Sequence, residues 1–220
     1  MTRELDFRRR PAARGPARRM VVFLHGYGAD GADLLGLADP LAPHLPDTVF
    51  IAPDAPEPCA GNPGGRQWFP IPWLDGSSEA AATAGVDRAA ADLDAFLDAR
   101  LAEEGLGNAD CALFGFSQGA MMALHLGARR LPELAGIVAF SGRLLRPGAL
   151  AGTPARPPVL LVHGDADPVV PFEDMATAGR ALDAAGFDVS GFVMRGCGHG
   201  IAPEGLSVAL SFLRDRFEGA

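Results

Sequence analysis

Cys111-Ala112-Leu113-Phe114-Gly115-Phe116-Ser117-Gln118-Gly119-Ala120-Met121-Met122 is the stretch on which the reading of the fold turns. It opens with an apolar run of strand length, and a helical pattern begins near Gln118, so Gly115 to Gly119 form a G-x-S-x-G pentapeptide at a strand-to-helix junction. This is the layout of a nucleophile elbow. A sharp turn there lifts the serine oxygen out of the sheet, and glycines flank it because a side chain would collide with the neighbouring strand and helix. In a chain with 28 glycines the pentapeptide alone is weak evidence, and its surroundings decide.

Outward from it, apolar runs alternate with helical patterns, the mark of βαβ units. They predict an α/β fold with a mostly parallel, doubly wound sheet and helices on both faces. The predicted strands lie near 20–24, 48–52, 111–114, 135–140, 159–162 and 187–194. One helical stripe runs through Val86, Ala90, Leu93, Phe96, Leu97 and Leu101, with Ser78 as its cap and Glu79 in its first turn. A second runs Phe172, Met175, Gly179, Leu182 and stops at Gly186, and a third runs Leu206, Leu210, Leu213, Phe217 behind Pro203. Residues 54–78 show no periodicity, are rich in Pro and Gly, and hold both tryptophans, Trp68 and Trp73. Loops of that length in compact domains are functional or disordered.

With 220 residues, 48% of them hydrophobic, the chain is read as a single domain, 1–220, whose first 19 residues are a basic segment. That segment carries seven arginines against Glu4 and Asp6, a charge of +5, so the remainder of a chain with net charge −8 carries −13. An acidic body argues against a nucleic-acid partner. The segment itself reads as solvated surface with room for one short strand through Leu5 and Phe7, and it lacks the apolar region of a secretory leader. No run of residues is long and apolar enough to predict a membrane span. Three cysteines, Cys59, Cys111 and Cys197, have neither metal spacing nor the look of a disulfide framework, which points to a reducing, cytoplasmic setting. All 19 basic residues are arginine. The lack of lysine excludes a P-loop, a pyridoxal-phosphate Schiff base and a Ser-Lys hydrolase.

Ligands of a doubly wound sheet bind outside the carboxyl ends of its strands, so the residues that follow each strand carry the chemistry. Ser117 follows the strand ending at Phe114, His163-Gly164-Asp165-Ala166-Asp167 the one ending at Val162, and Gly196-Cys197-Gly198-His199-Gly200 the one ending near Met194. Serine, acid, histidine is the chain order of an α/β-hydrolase triad. A serine hydroxyl becomes a nucleophile when a neutral imidazole takes its proton, and a carboxylate fixes that imidazole's tautomer. Ser117, His199 and Asp167 fill these roles. Asp165 competes for the acid role, but it lies in the glycine turn, where an aspartate bonds its own backbone. Gln118 N–H and Tyr27 N–H, the latter from the glycine-rich 25–31 loop, are the expected oxyanion donors. His25 and His163 read as histidines bonded within their own turns, and Cys197 as an ordinary half-buried thiol. Trp68, Phe69, Trp73 and Leu74 are expected to wall a substrate pocket. No metal and no organic cofactor is required by this chemistry.

Leu24 to Gly31 (L-H-G-Y-G-A-D-G), Gly115 to Gly119 (G-F-S-Q-G), His163 to Pro171 (H-G-D-A-D-P-V-V-P) and Gly198 to Ile201 (G-H-G-I) together resemble the phospholipase/carboxylesterase family that includes the acyl-protein thioesterases. The resemblance spans most of the chain beyond residue 19. It implies an α/β-hydrolase fold without a large cap domain, a triad on Ser117, Asp167 and His199, and oxyanion donors at Tyr27 and Gln118. Animal thioesterases of the family tend to have Leu where Tyr27 stands and Gly where Ala120 stands, so the chain looks more like the bacterial carboxylesterases.

The expected function is therefore a serine carboxylesterase acting on a small-molecule ester through an acyl-enzyme, as monomer or homodimer. An acyl-thioesterase or lysophospholipase would use the same triad, and a ligand-binding protein on a hydrolase fold is a rival from another class.

Overall fold

Strands that are apolar on both faces need cover on both, and here they form the middle of one seven-stranded sheet. The computed structural model describes residues 2–59 and 62–218. In chain order it has β1 (Phe7–Arg10), β2 (Arg19–Leu24), α1 (Gly31–Leu35), α2 (Ala38–Leu41), β3 (Thr48–Pro53), β4 (Glu57–Cys59), β5 (Asn62–Gln67), α3 (Pro72–Asp75) and α4 (Glu79–Glu104). Then follow β6 (Cys111–Phe116), α5 (Gln118–Gly127), β7 (Gly136–Phe140), β8 (Val159–Gly164), α6 (Glu173–Ala184), β9 (Val189–Met194) and α7 (Pro203–Glu218). The sheet order is β1-β3-β2-β6-β7-β8-β9, and every pairing is parallel except that of β1 with β3.

Alternate residues of each strand divide between two cores. Met20, Val22, Leu24, Leu113 and Ile137 face α4, α5 and α6, whereas Val21, Phe23, Phe50, Phe114 and Phe140 face α1, α2 and α7. On the second face Phe50, Phe23, Phe114 and Phe140 run across four adjacent strands with ring centroids 5.1–5.8 Å apart. Each such pair adds about 0.5–1.5 kcal/mol beyond the area it buries. The helix stripes are as expected: Ser78 caps α4 by accepting the Ala81 N–H, Gly105 ends it at φ 69°, and Val86, Leu93, Phe96, Leu97 and Leu101 are buried.

Two local features differ from the sequence reading. The short strand expected through Leu5 and Phe7 is present as the edge strand β1, but it starts at Phe7 and pairs along β3, and Leu5 before it is buried instead of solvated. Within the aperiodic 54–78 stretch, of which residues 60 and 61 lie outside the described residues, β4 and β5 form an antiparallel hairpin. Among the described residues no helix is long and apolar enough to cross a membrane.

Candidate active site

β6, β8 and β9 are parallel, so the turns after them meet at one sheet edge. At the first turn Ser117 has φ 54° and ψ −117°, outside the region open to most side chains, and α5 starts at the next residue. The flanking glycines are needed as expected. A Cβ on Gly115 would press into the Gly119 carbonyl and the Ala120 backbone, and one on Gly119 into the Leu24 and His25 carbonyl oxygens.

The three side chains separated along the chain are in contact. His199 Nε2 lies 2.9 Å from Ser117 Oγ, and His199 Nδ1 lies 2.7 Å from Asp167 Oδ2. Asp167 is fully buried at its side chain, and its Oδ1 accepts the Val169 and Val170 N–H groups at 2.8 and 3.0 Å. Burial alone would push this carboxyl up, but the hydrogen bonds from His199, Val169 and Val170 outweigh it and hold Asp167 below the usual carboxylate value. An ionised Asp167 requires the proton of His199 on Nδ1, leaving Nε2 to accept from the Ser117 hydroxyl. Asp165 is elsewhere: its Oδ1 accepts the Gly196 N–H at 2.6 Å and so ties the β8 turn to the loop that carries His199.

His25 and His163 are each held by backbone partners. Ala55 N–H donates to His25 Nε2 at 2.9 Å and His25 Nδ1–H donates to the Gly26 carbonyl at 2.7 Å, which selects one neutral tautomer. Burial pushes the His25 pKa down, in keeping with that. His163 Nε2–H donates to the Val170 carbonyl at 3.0 Å and lies 3.3 Å from Asp167 Oδ2, closing the turn around the carboxylate. Cys197 is half-buried and free.

Next to Ser117, Gly26 packs so tightly that a Cβ on it would lie 3.3 Å from Ser117 Cβ, and Tyr27 follows immediately. The β4–β5 hairpin holds this loop: Gly28 N–H donates to the Arg66 carbonyl at 2.9 Å, Arg66 N–H to Ala29 at 2.8 Å, and Asn62 Nδ2–H to Gly28 at 2.8 Å. Gln118 occupies the first position of α5, where amide N–H groups have no partner within the helix. Its side chain has a further task that its place in the pentapeptide did not reveal. Gln118 Oε1 accepts the Trp68 N–H and Nε2–H donates to the Phe69 carbonyl, both at 2.8 Å, locking the 68–69 backbone to the elbow.

That lock corrects part of the expected pocket. Trp68 is fully buried, and its indole N–H donates to the His25 carbonyl at 2.9 Å, so it braces the loop from behind instead of walling a pocket. Leu74 is 59% exposed and lines no groove beside the elbow. Phe69 and Trp73 do line one, a groove of about 230 Å³ shared with Val86, Met121, Leu145 and Arg146. Among the described residues no group of three or more His, Cys, Asp or Glu is arranged to hold a metal.

A parallel sheet with helices on both faces, an elbow serine and a linked Ser–His–Asp set define a hydrolase of the α/β-hydrolase class. The profile of the phospholipase/carboxylesterase family matches residues 11–216, and the chain belongs to that family. It is similar to Esterase YpfH of Escherichia coli, with 33% identity over 203 residues, 90% of this chain and 83% of that one. It is also similar to Acyl-protein thioesterase 1 of Neurospora crassa, with 30% identity over 211 residues, 89% of this chain and 86% of that one. Among solved structures, esterase PE8 superposes with a TM-score of 0.91 at 46% identity, over 96% of this chain and 99% of that one.

Proposed function

We propose that this chain is a serine carboxylesterase that hydrolyses small carboxylic esters through an acyl-enzyme on Ser117. The observation that carries the reading is the unbroken series of hydrogen bonds from Asp167 through His199 to Ser117, 2.7 Å and then 2.9 Å. Ser117 Oγ attacks the ester carbonyl carbon as its proton passes to His199 Nε2, and the buried, ionised Asp167 stabilises the imidazolium. Negative charge gathers on the carbonyl oxygen, where the Gln118 N–H, at the positive end of α5, and the Tyr27 N–H stabilise it. Collapse of the tetrahedral intermediate transfers the proton from His199 to the departing alcohol. Water then repeats the sequence with His199 as base, frees the acid and restores Ser117. The groove lined by Phe69 and Trp73 is the site for the acyl part of the substrate.

Ser117→Ala should lower kcat on a p-nitrophenyl ester by about 10⁴-fold or more. Near-full activity in that variant contradicts the assignment. A relative named acyl-protein thioesterase supports a second reading, thioester hydrolysis by the same residues, since both reactions pass through attack on a carbonyl. Comparing kcat/KM for an oxyester and a thioester of the same acyl group, with a lysophospholipid as third substrate, separates these activities. Three free cysteines support the proposed cytoplasmic setting. Exposed Trp73 and Leu74 support a homodimer over a monomer, a choice that sedimentation tests.

A further inference from the structure

The groove beside the elbow has two distinct ends. Its near end is tied to the nucleophile: the Phe69 carbonyl accepts from the Gln118 side chain at 2.8 Å, and Met121 N–H donates to the Ser117 carbonyl at 3.1 Å. Its far end is the one with Arg146, which acts on the charge of His125, one turn past Met121 on α5 and so further from Ser117; Thr83 and Val86 in the early turns of α4 line the groove too. Arg146 is built into that position. Its guanidinium grips both oxygens of Asp87, at 2.7 and 3.1 Å, and donates to the Thr83 carbonyl at 3.0 Å. Its backbone has φ 52°, a left-handed conformation that a non-glycine residue keeps only when its surroundings enforce it. Trp73, 71% exposed, roofs the groove by resting on the Arg143 guanidinium at 5.8 Å, and Arg143 is paired with Asp174 at 3.0 Å.

We propose that the groove admits a medium-length acyl chain of about six to eight carbons, and that Arg146 is the specificity-determining residue that ends it. This rests on the esterase reading above. The groove, open to solvent along one side, has a volume of about 230 Å³. At about 30 Å³ for a group the size of a water molecule, it fills after about seven or eight carbons. Up to that length each methylene leaves water for apolar walls, a gain of up to about fourfold in kcat/KM per carbon. Beyond it the chain meets a guanidinium held in a two-oxygen ion pair, and pressing a methylene there strips water from charge with no compensating bond.

The test is a series of p-nitrophenyl esters from acetate to dodecanoate. For the wild-type protein kcat/KM should climb to an optimum at about six to eight carbons and then fall. Arg146→Gly removes the stop and suits the left-handed backbone, so its optimum should move longer by about two carbons. Thr83→Phe, a substitution at an exposed position, fills the far end from the opposite wall and should move the optimum shorter. Trp73→Ala removes the roof and should flatten the gain per carbon without moving the optimum. A wild-type optimum at acetate overturns the proposal, as does a profile whose optimum stays in place in both Arg146→Gly and Thr83→Phe. Acetate barely enters the groove, so its hydrolysis reports on the triad separately. Retained acetate turnover with an unchanged profile defeats the subsite alone, whereas no turnover of any ester by the wild-type protein defeats the esterase reading beneath it.

Discussion

Ser117 holds a backbone conformation, φ 54°, that costs about 1–3 kcal/mol at a non-glycine residue, and the neighbouring glycines are what make it possible. Gly119 is the most constrained of them. A Cβ there would drive into the backbone oxygens of Leu24 and His25, which cannot yield without moving β2. Gly119→Ala should therefore cost about 3 kcal/mol, visible in thermal denaturation as a drop of about 6–12 °C in Tm. An unchanged Tm would show that the elbow is looser than its geometry states. By contrast Asp167→Asn changes the charge that orients His199 and leaves the packing of the turn intact. It should lower kcat by about 10⁴-fold with little change in KM, and wild-type kcat in that variant would remove Asp167 from the triad.

At the scale of elements, the β4–β5 hairpin does more for the site than for the core. It grips the loop carrying Tyr27 through the Gly28, Ala29 and Arg66 backbone, and Gly65 lies so close that a Cβ on it would run into the Gly28 backbone. Gly65→Ala should displace that loop and, with Tyr27 N–H as the proposed oxyanion donor, lower kcat by about 10–100-fold while circular dichroism stays native, since small misplacements are amplified in rate. Wild-type kcat in Gly65→Ala would show that the hairpin does not set the loop. This hairpin was illegible in the sequence for a physical reason: Asn62 to Gln67 contains a Pro and two Gly and no apolar alternation, because the strand is held by backbone bonds to a loop. The central strands were legible because burial on both faces demands continuous apolar runs, as in Val159 to Val162. Trp68 was misread since a Pro-rich neighbourhood suggests surface, while its burial depends on the Gln118 side chain, a contact 50 residues away. The order of Ser117, Asp167 and His199 at strand ends was readable, because strand direction alone brings those turns to one edge.

At the scale of the whole molecule, an acidic body is laced by its own arginine-rich segment. Arg3 pairs with Glu57 and Asp92, Arg9 with Glu104, and Arg19 with Asp110. The Arg9 and Arg19 pairs are partly exposed and contribute little each, whereas Asp92 is buried and accepts from both the guanidinium and the backbone N–H of Arg3. Buried histidines add a pH-dependence of their own. Burial pushes His125, between α5 and α4, down to about 4, with Arg129 and Arg146 adding to the effect and Asp87 opposing it. An unfolded histidine takes up a proton near pH 6.5 and the folded one does not, so this stability is complete above about pH 6.5 and is lost as pH falls toward 4. His25, lowered by burial in the same direction, steepens the loss. His125→Gln should remove on the order of 2–3 kcal/mol of this pH-dependence in urea denaturation, and an unaltered slope would show that His125 is charged in the folded protein. The covalent step on Ser117 is tested most directly by treating the folded protein with a fluorophosphonate and mapping the adduct by mass spectrometry. A single adduct on the peptide containing Ser117, lost in Ser117→Ala, is the predicted result; labelling that persists in that variant, or no labelling of the folded wild-type protein, would contradict it.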